Sequence, residues 1–67
     1  MPKILLNSTP HPLPDPPTVA GLLVALCRDP KKVAVEVNEE VVPRESHTAV
    51  VLNDGDRVEI VTLVGGG

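Results

Sequence analysis

The stretch Val33-Ala34-Val35-Glu36-Val37-Asn38-Glu39-Glu40-Val41-Val42-Pro43 opens with a clean alternation. Val33, Val35 and Val37 fall on one face and Ala34 and Glu36 on the other. A period of two with β-branched residues on one side is the pattern of a half-buried strand. Asn38-Glu39-Glu40 supplies a tight turn into a short strand, Val41-Val42, which Pro43 ends. The valine face of this pair needs a cover, and the rest of the chain has to provide it.

Downstream, an apolar patch, Ala49-Val50-Val51-Leu52, leads to the turn former Asn53-Asp54-Gly55-Asp56. A last strand follows from Arg57 to Val64, and then Gly65-Gly66-Gly67. Its alternation places Val58 and Ile60 under the cover and turns Glu59, Val61 and Leu63 to the opposite face. Apolar residues on an uncovered sheet face mark a partner surface, with a homodimer contact as the alternative, so Glu59, Val61 and Leu63 are candidate partner-binding residues. Upstream, Val19, Leu22, Leu23 and Leu26 recur at helical spacing, with Thr18 as N-cap. Pro30 stops that helix near Arg28-Asp29. Gly21 is expected to pack closely on the sheet, and Cys27, near the helix end, to be structural.

The first strand is Lys3-Ile-Leu-Leu-Asn7, apolar enough to be buried on both faces. After a Ser8-Thr9 turn, Pro10-His11-Pro12-Leu13-Pro14-Asp15-Pro16-Pro17 admits two readings. It resembles a polyproline ligand or linker. It also fits an edge strand, because prolines at 10, 12 and 14 remove donors from one side only and leave those of His11, Leu13 and Asp15 for the first strand.

Length and composition narrow the function. Sixty-seven residues make one domain with a small core, and none of them is Phe, Trp or Tyr. Without aromatic platforms, and with six basic against nine acidic residues, nucleic-acid binding is disfavoured. No apolar run approaches the roughly 20 residues of a membrane span, and Met1-Pro2-Lys3 does not open a signal peptide, so a cytoplasmic setting without membrane contact is expected. A lone cysteine fits a reducing compartment. Asn7-Ser8-Thr9 matches the glycosylation sequon only by accident on this reading. Asp54 and Asp56 are expected to form a turn, no metal-ligand spacing is present, and His11 and His47 are expected to have surface or packing roles.

The order strand, strand, helix, strand, short strand, strand is that of an α+β domain, with one helix laid across one face of a mixed sheet of four to five strands. With the first and last strands side by side at the centre, this is the β-grasp arrangement of ubiquitin. Residues 1–64 form that domain on this reading, and residues 65–67 a flexible tail.

Three spaced motifs carry a resemblance to the ThiS family, the sulfur carriers of thiamine biosynthesis. Val35 to Arg44 resembles the family's valine-asparagine turn followed by Val-Pro-Arg, with His47 where an aromatic or histidine is usual. Asp54-Gly55-Asp56-Arg57-Val58-Glu59-Ile60-Val61 is similar to its last turn and strand, and Gly66-Gly67 to its terminal di-glycine. Thr18-Val19 with Leu22-Leu23 also resembles the start of its helix. The resemblance implies that an E1-like enzyme adenylates the Gly67 carboxylate with ATP. Sulfur from a persulfide donor then displaces AMP and leaves a thiocarboxylate, which serves thiazole formation with a thiazole synthase as acceptor. Gly65 and Gly66 complete the tail, whose lack of Cβ atoms suits a narrow channel. The carrier itself is then no enzyme and holds no cofactor, the ATP belonging to its activating partner. A molybdopterin synthase small subunit, a ubiquitin-like conjugating modifier and a plain β-grasp binding module remain the alternatives.

Overall fold

The computed structural model describes residues 2–63. The last strand ends at Thr62, one described residue short of the expected run through Leu63, while Val64, the domain boundary after it and the Gly65-Gly66-Gly67 tail lie outside the described residues. The elements are β1 (Lys3–Leu6), β2 (Thr9–Pro12), α1 (Val19–Ala25), β3 (Val33–Val37), β4 (Glu40–Val42) and β5 (Arg57–Thr62), with short 3-10 turns at Pro30–Lys32 and Arg44–Ser46. They build one five-stranded sheet in the order β2-β1-β5-β3-β4. β1 and β5 are adjacent and parallel, and the other pairs are antiparallel. This is the expected mixed β-grasp sheet, with the last strand at its centre.

One face of the sheet is covered by α1. Ile4, Val33, Val35, Val42, Val58 and Ile60 meet Val19, Leu22, Leu23 and Leu52 in a single buried cluster. Period two in the strands and period 3.6 in the helix put these residues on facing surfaces. The first strand departs from expectation, because only one of its faces is covered and Leu5 is 36% exposed. An apolar run such as Ile-Leu-Leu cannot by itself distinguish one covered face from two.

β2 is shorter than the proline pattern suggested. It ends at Pro12, so Leu13 and Asp15 are not ladder donors, and Pro14 is buried outside the strand. Within β2 the proline logic holds. Leu5 of β1 and Asn7 just after it donate to Asp56 and Val58 carbonyls on the β5 side, so the N–H groups of Ile4 and Leu6 point the other way, toward His11 and Thr9. Pro10 and Pro12 lie opposite Leu5 and Lys3, where no donor is required.

The helix begins as read, with Thr18 Oγ1 accepting from Gly21 N–H at 3.0 Å. Its remaining first-turn donors are taken by a neighbouring loop: Val19 donates to Val50 O at 3.1 Å and Ala20 to His47 O at 2.9 Å. It ends earlier than Pro30 implied. Cys27 adopts φ 56°, and Cys27 N–H donates to Val24 O while Arg28 N–H donates to Leu23 O, the paired bonds of a Schellman stop. Cys27 is exposed in that position, which corrects its expected place in the packing. Gly21 is also corrected: a Cβ there would fall on the carbonyl oxygen of Pro16, so the close approach is to the proline loop and not to the sheet.

Candidate functional site

The site is built around β5, because this central strand leads into the glycine tail. Both hairpin turns beside it place an asparagine in the left-handed region, Asn7 at φ 49° and Asn38 at φ 52°, as two-residue hairpin turns require. Each asparagine then reaches across to β5. Asn38 donates its backbone N–H to Arg57 O at 2.7 Å, accepts from Arg57 N–H through Oδ1 at 3.0 Å, and donates through Nδ2 to Asp56 Oδ1 at 3.1 Å. The two sequence motifs Val35–Arg44 and Asp54–Val61 therefore meet at one joint.

At the other end of β5, Asn7 Oδ1 accepts from Ile60 N–H at 2.8 Å and its Nδ2 donates to Ile60 O at 3.2 Å. The amide continues the β1–β5 ladder beyond the point where β1 has turned away. Arg28 Nη2 donates to Thr62 Oγ1 at 2.6 Å, and Leu63 N–H donates to Lys32 O at 2.8 Å. The root of the tail is thus held from β1, from the helix stop and from the turn before β3. The sequence reading placed Asn7 at the end of the first strand, before a Ser8-Thr9 turn, and Asn38 in a turn. The structure puts Asn7 and Ser8 in the turn, and the sequence reading gave neither asparagine a role at β5. The one available signal was their place at hairpin turns flanking the strand that precedes the glycines.

The sheet face away from α1 is uncovered. Glu59, Val61 and Leu63 are exposed on the expected side, while Val58 and Ile60 are buried. Val61 lies opposite Ala34 and Glu59 opposite Glu36. Leu5 and Val41 extend the apolar part of this face toward the two edges, and Arg57 with Glu36 and Glu59 lines a shallow depression on it. His47 is buried beside the helix start, where its carbonyl accepts from Ala20 N–H, and its Nδ1 has no hydrogen-bond partner among the described residues. His11 Nδ1 lies 2.7 Å from Pro12 O on the outer strand. Among the described residues no His, Cys, Asp and Glu cluster could hold a metal ion, and no helix is long and apolar enough to cross a membrane.

A five-stranded mixed sheet, one covering helix and a central last strand define a ubiquitin-like β-grasp protein. The ThiS family model matches residues 4–67. The chain is 42% identical over 53 residues to the sulfur carrier protein ThiS of Bacillus subtilis, covering 79% of this chain and 80% of that one. It also superposes on the crystal structure of the thiamine biosynthesis protein ThiS from Geobacter metallireducens with a TM-score of 0.78 and 35% identity, over 97% of this chain and 99% of that one. A thiazole synthase of Magnetococcus marinus is 48% identical over 65 residues, 97% of this chain. The chain spans only 20% of the length of that relative and of a second thiazole synthase, from Paramagnetospirillum magneticum. This chain belongs to the ThiS family.

Proposed function

We propose that the chain carries sulfur on Gly67 for thiazole formation. An E1-like enzyme joins the Gly67 carboxylate to the α-phosphate of ATP, with release of pyrophosphate. The terminal sulfur of a persulfide donor then attacks the acyl carbon and expels AMP. A second thiol cleaves the resulting acyl disulfide, pairing with the donor's sulfur as a disulfide and leaving a thiocarboxylate, a better nucleophile than the carboxylate it replaces. The observation that carries this reading is the family match, which runs from Ile4 through the glycines to Gly67. The grips on Ile60, Thr62 and Leu63 support it, because they fix the direction in which β5 leads into the tail. The thiazole synthases that contain a segment like this chain support a thiazole synthase as the acceptor. Glu59, Val61 and Leu63 would form part of the surface read by these partners, on the exposed face beside the tail root.

The test is intact mass measurement after incubation with the adenylating enzyme of the same organism, ATP, a persulfide donor and a thiol reductant. The expected result is an oxygen-to-sulfur increment located at Gly67 by fragmentation. A mass that stays unchanged while that enzyme loads its own established carrier would overturn the reading.

A further inference from the structure

The cations of this chain are placed unevenly. β3 runs antiparallel to β5 with Val33 opposite Thr62, so the segment that enters β3 lies at the end of the sheet where the tail leaves. Arg28, Lys31 and Lys32 are therefore at that end, and the contacts of Arg28 with Thr62 and of Lys32 O with Leu63 fix them there. β4 runs back along β3 from Glu40, opposite Val37, to Val42, opposite Val35. It delivers the chain to the same end, where Arg44 opens the following 3-10 turn. The acids beside these four cations are Glu45 and Asp29, and Asp29 Oδ1 is occupied by Lys31 N–H at 2.9 Å. Lys31, Lys32 and Arg44 are exposed and Arg28 is half-buried.

The opposite end of the sheet has the other sign. Glu39, Glu40, Asp54 and Asp56 lie there with only Lys3 and Arg57 among them, while Asp15, Glu36 and Glu59 complete the acids. A protein of net charge −3 thus presents four cations at the end of the sheet from which β5 leads on to Gly67, whose proposed reacting group is an anion. Both the net charge and that carboxylate repel the polyphosphate of ATP, and a local field of the other sign at the leading end offsets this during approach. Such a cluster fits an acidic rim, since like charges across an interface cost affinity and register.

We propose that Arg28, Lys31, Lys32 and Arg44 form a docking collar for an acidic rim around the tail-accepting channel of the activating enzyme, and that the collar brings the carrier in tail first. The proposal rests on the reading of Gly67 as the reacting end. Its test compares association rates of full-length variants with the adenylating enzyme by stopped flow, across a series of salt concentrations. Lys31→Glu and Lys3→Glu change the net charge equally but at opposite ends, and both side chains are exposed. Lys31→Glu/Lys32→Glu is expected to slow association about tenfold at low salt and to approach the wild type at high salt. Lys3→Glu is expected to stay within about twofold of the wild type, because its charge lies at the far end. Equal slowing by Lys3→Glu and Lys31→Glu would reduce the effect to net charge and overturn the collar, as would wild-type rates in the double variant. The sulfur-carrier reading fails separately: a wild type that associates in this charge-dependent way but never gains sulfur removes the chemistry and leaves the collar standing.

Discussion

The two ends of β5 are secured by different means. At Arg57 the strand emerges from a turn whose parts bind one another: Asp56 Oδ2 accepts from Asn53 N–H at 2.8 Å, and Gly55 N–H donates to Lys3 O at 2.7 Å. Asn38 then adds its backbone and amide to the same joint. Toward the other end the strand is gripped at Ile60 by the Asn7 amide, at Thr62 by the Arg28 guanidinium and at Leu63 by the Lys32 carbonyl, three groups from three separate segments. One end is thus held within a single joint, the other from three segments. Loss of one of these grips should therefore loosen the C-terminal end of β5 and, on the proposed reading, lower sulfur loading, whereas loss of one bond at the turn end should cost only stability.

The largest expected effect separates chemistry from fold at the tail. Deleting Gly67 withdraws the reacting carboxylate by roughly 3.5 Å, more than a near-attack geometry tolerates. Sulfur loading measured by intact mass should fall by orders of magnitude while the thermal midpoint stays that of the wild type. Normal loading in this variant would show that the tail is not the reacting end.

Next comes the direct comparison of the two asparagines. Asn7→Gly and Asn38→Gly keep the left-handed backbone and remove only the amide, so each should destabilise the domain by about 1–3 kcal/mol in urea unfolding. Only Asn7→Gly should also speed hydrogen exchange at the Ile60 amide selectively and reduce sulfur loading at subsaturating enzyme. If Asn38→Gly impairs loading equally, the two ends do not differ in the way described.

A smaller effect is expected on the uncovered face. Val61→Asp places a charge on an exposed side chain, 56% accessible, and should leave stability within about 0.5 kcal/mol. Binding to the adenylating enzyme or the thiazole synthase should weaken about tenfold in titration calorimetry. Unchanged affinity for both would remove this face from the interface. Cys27→Ser should do least, since the thiol is exposed and the sulfur is carried on Gly67 in the proposed mechanism. A folded Cys27→Ser protein that no longer accepts sulfur would contradict that mechanism.

Periodicity made the architecture legible. Val33, Val35 and Val37 on one side, Val58 and Ile60 on the same side of the next ladder, and the leucines of α1 were enough to place helix over sheet. The exposure of Glu59, Val61 and Leu63 followed from the same alternation. What local pattern could not show were bonds between residues far apart in the chain. Asn7 and Ile60 are separated by 53 positions, and nothing around Asn7 distinguishes an amide that brackets a distant strand from one that merely forms a turn. The helix stop was missed for a different reason. Cys27 takes the left-handed position usually given to glycine, so the visible signal, Pro30, marked a point beyond the true end.

The contact between Gly21 and the Pro16 carbonyl bears on how this sequence can change over time. A side chain at position 21 is admissible only in a chain whose 14–17 loop takes another path, and a loop that lies this close to α1 is admissible only above a glycine. Position 21 and the proline loop are therefore one choice and not two. Substitutions there should be strongly epistatic, each harmful alone and tolerated as a pair. A redesign that scores the helix and the loop independently would misjudge both.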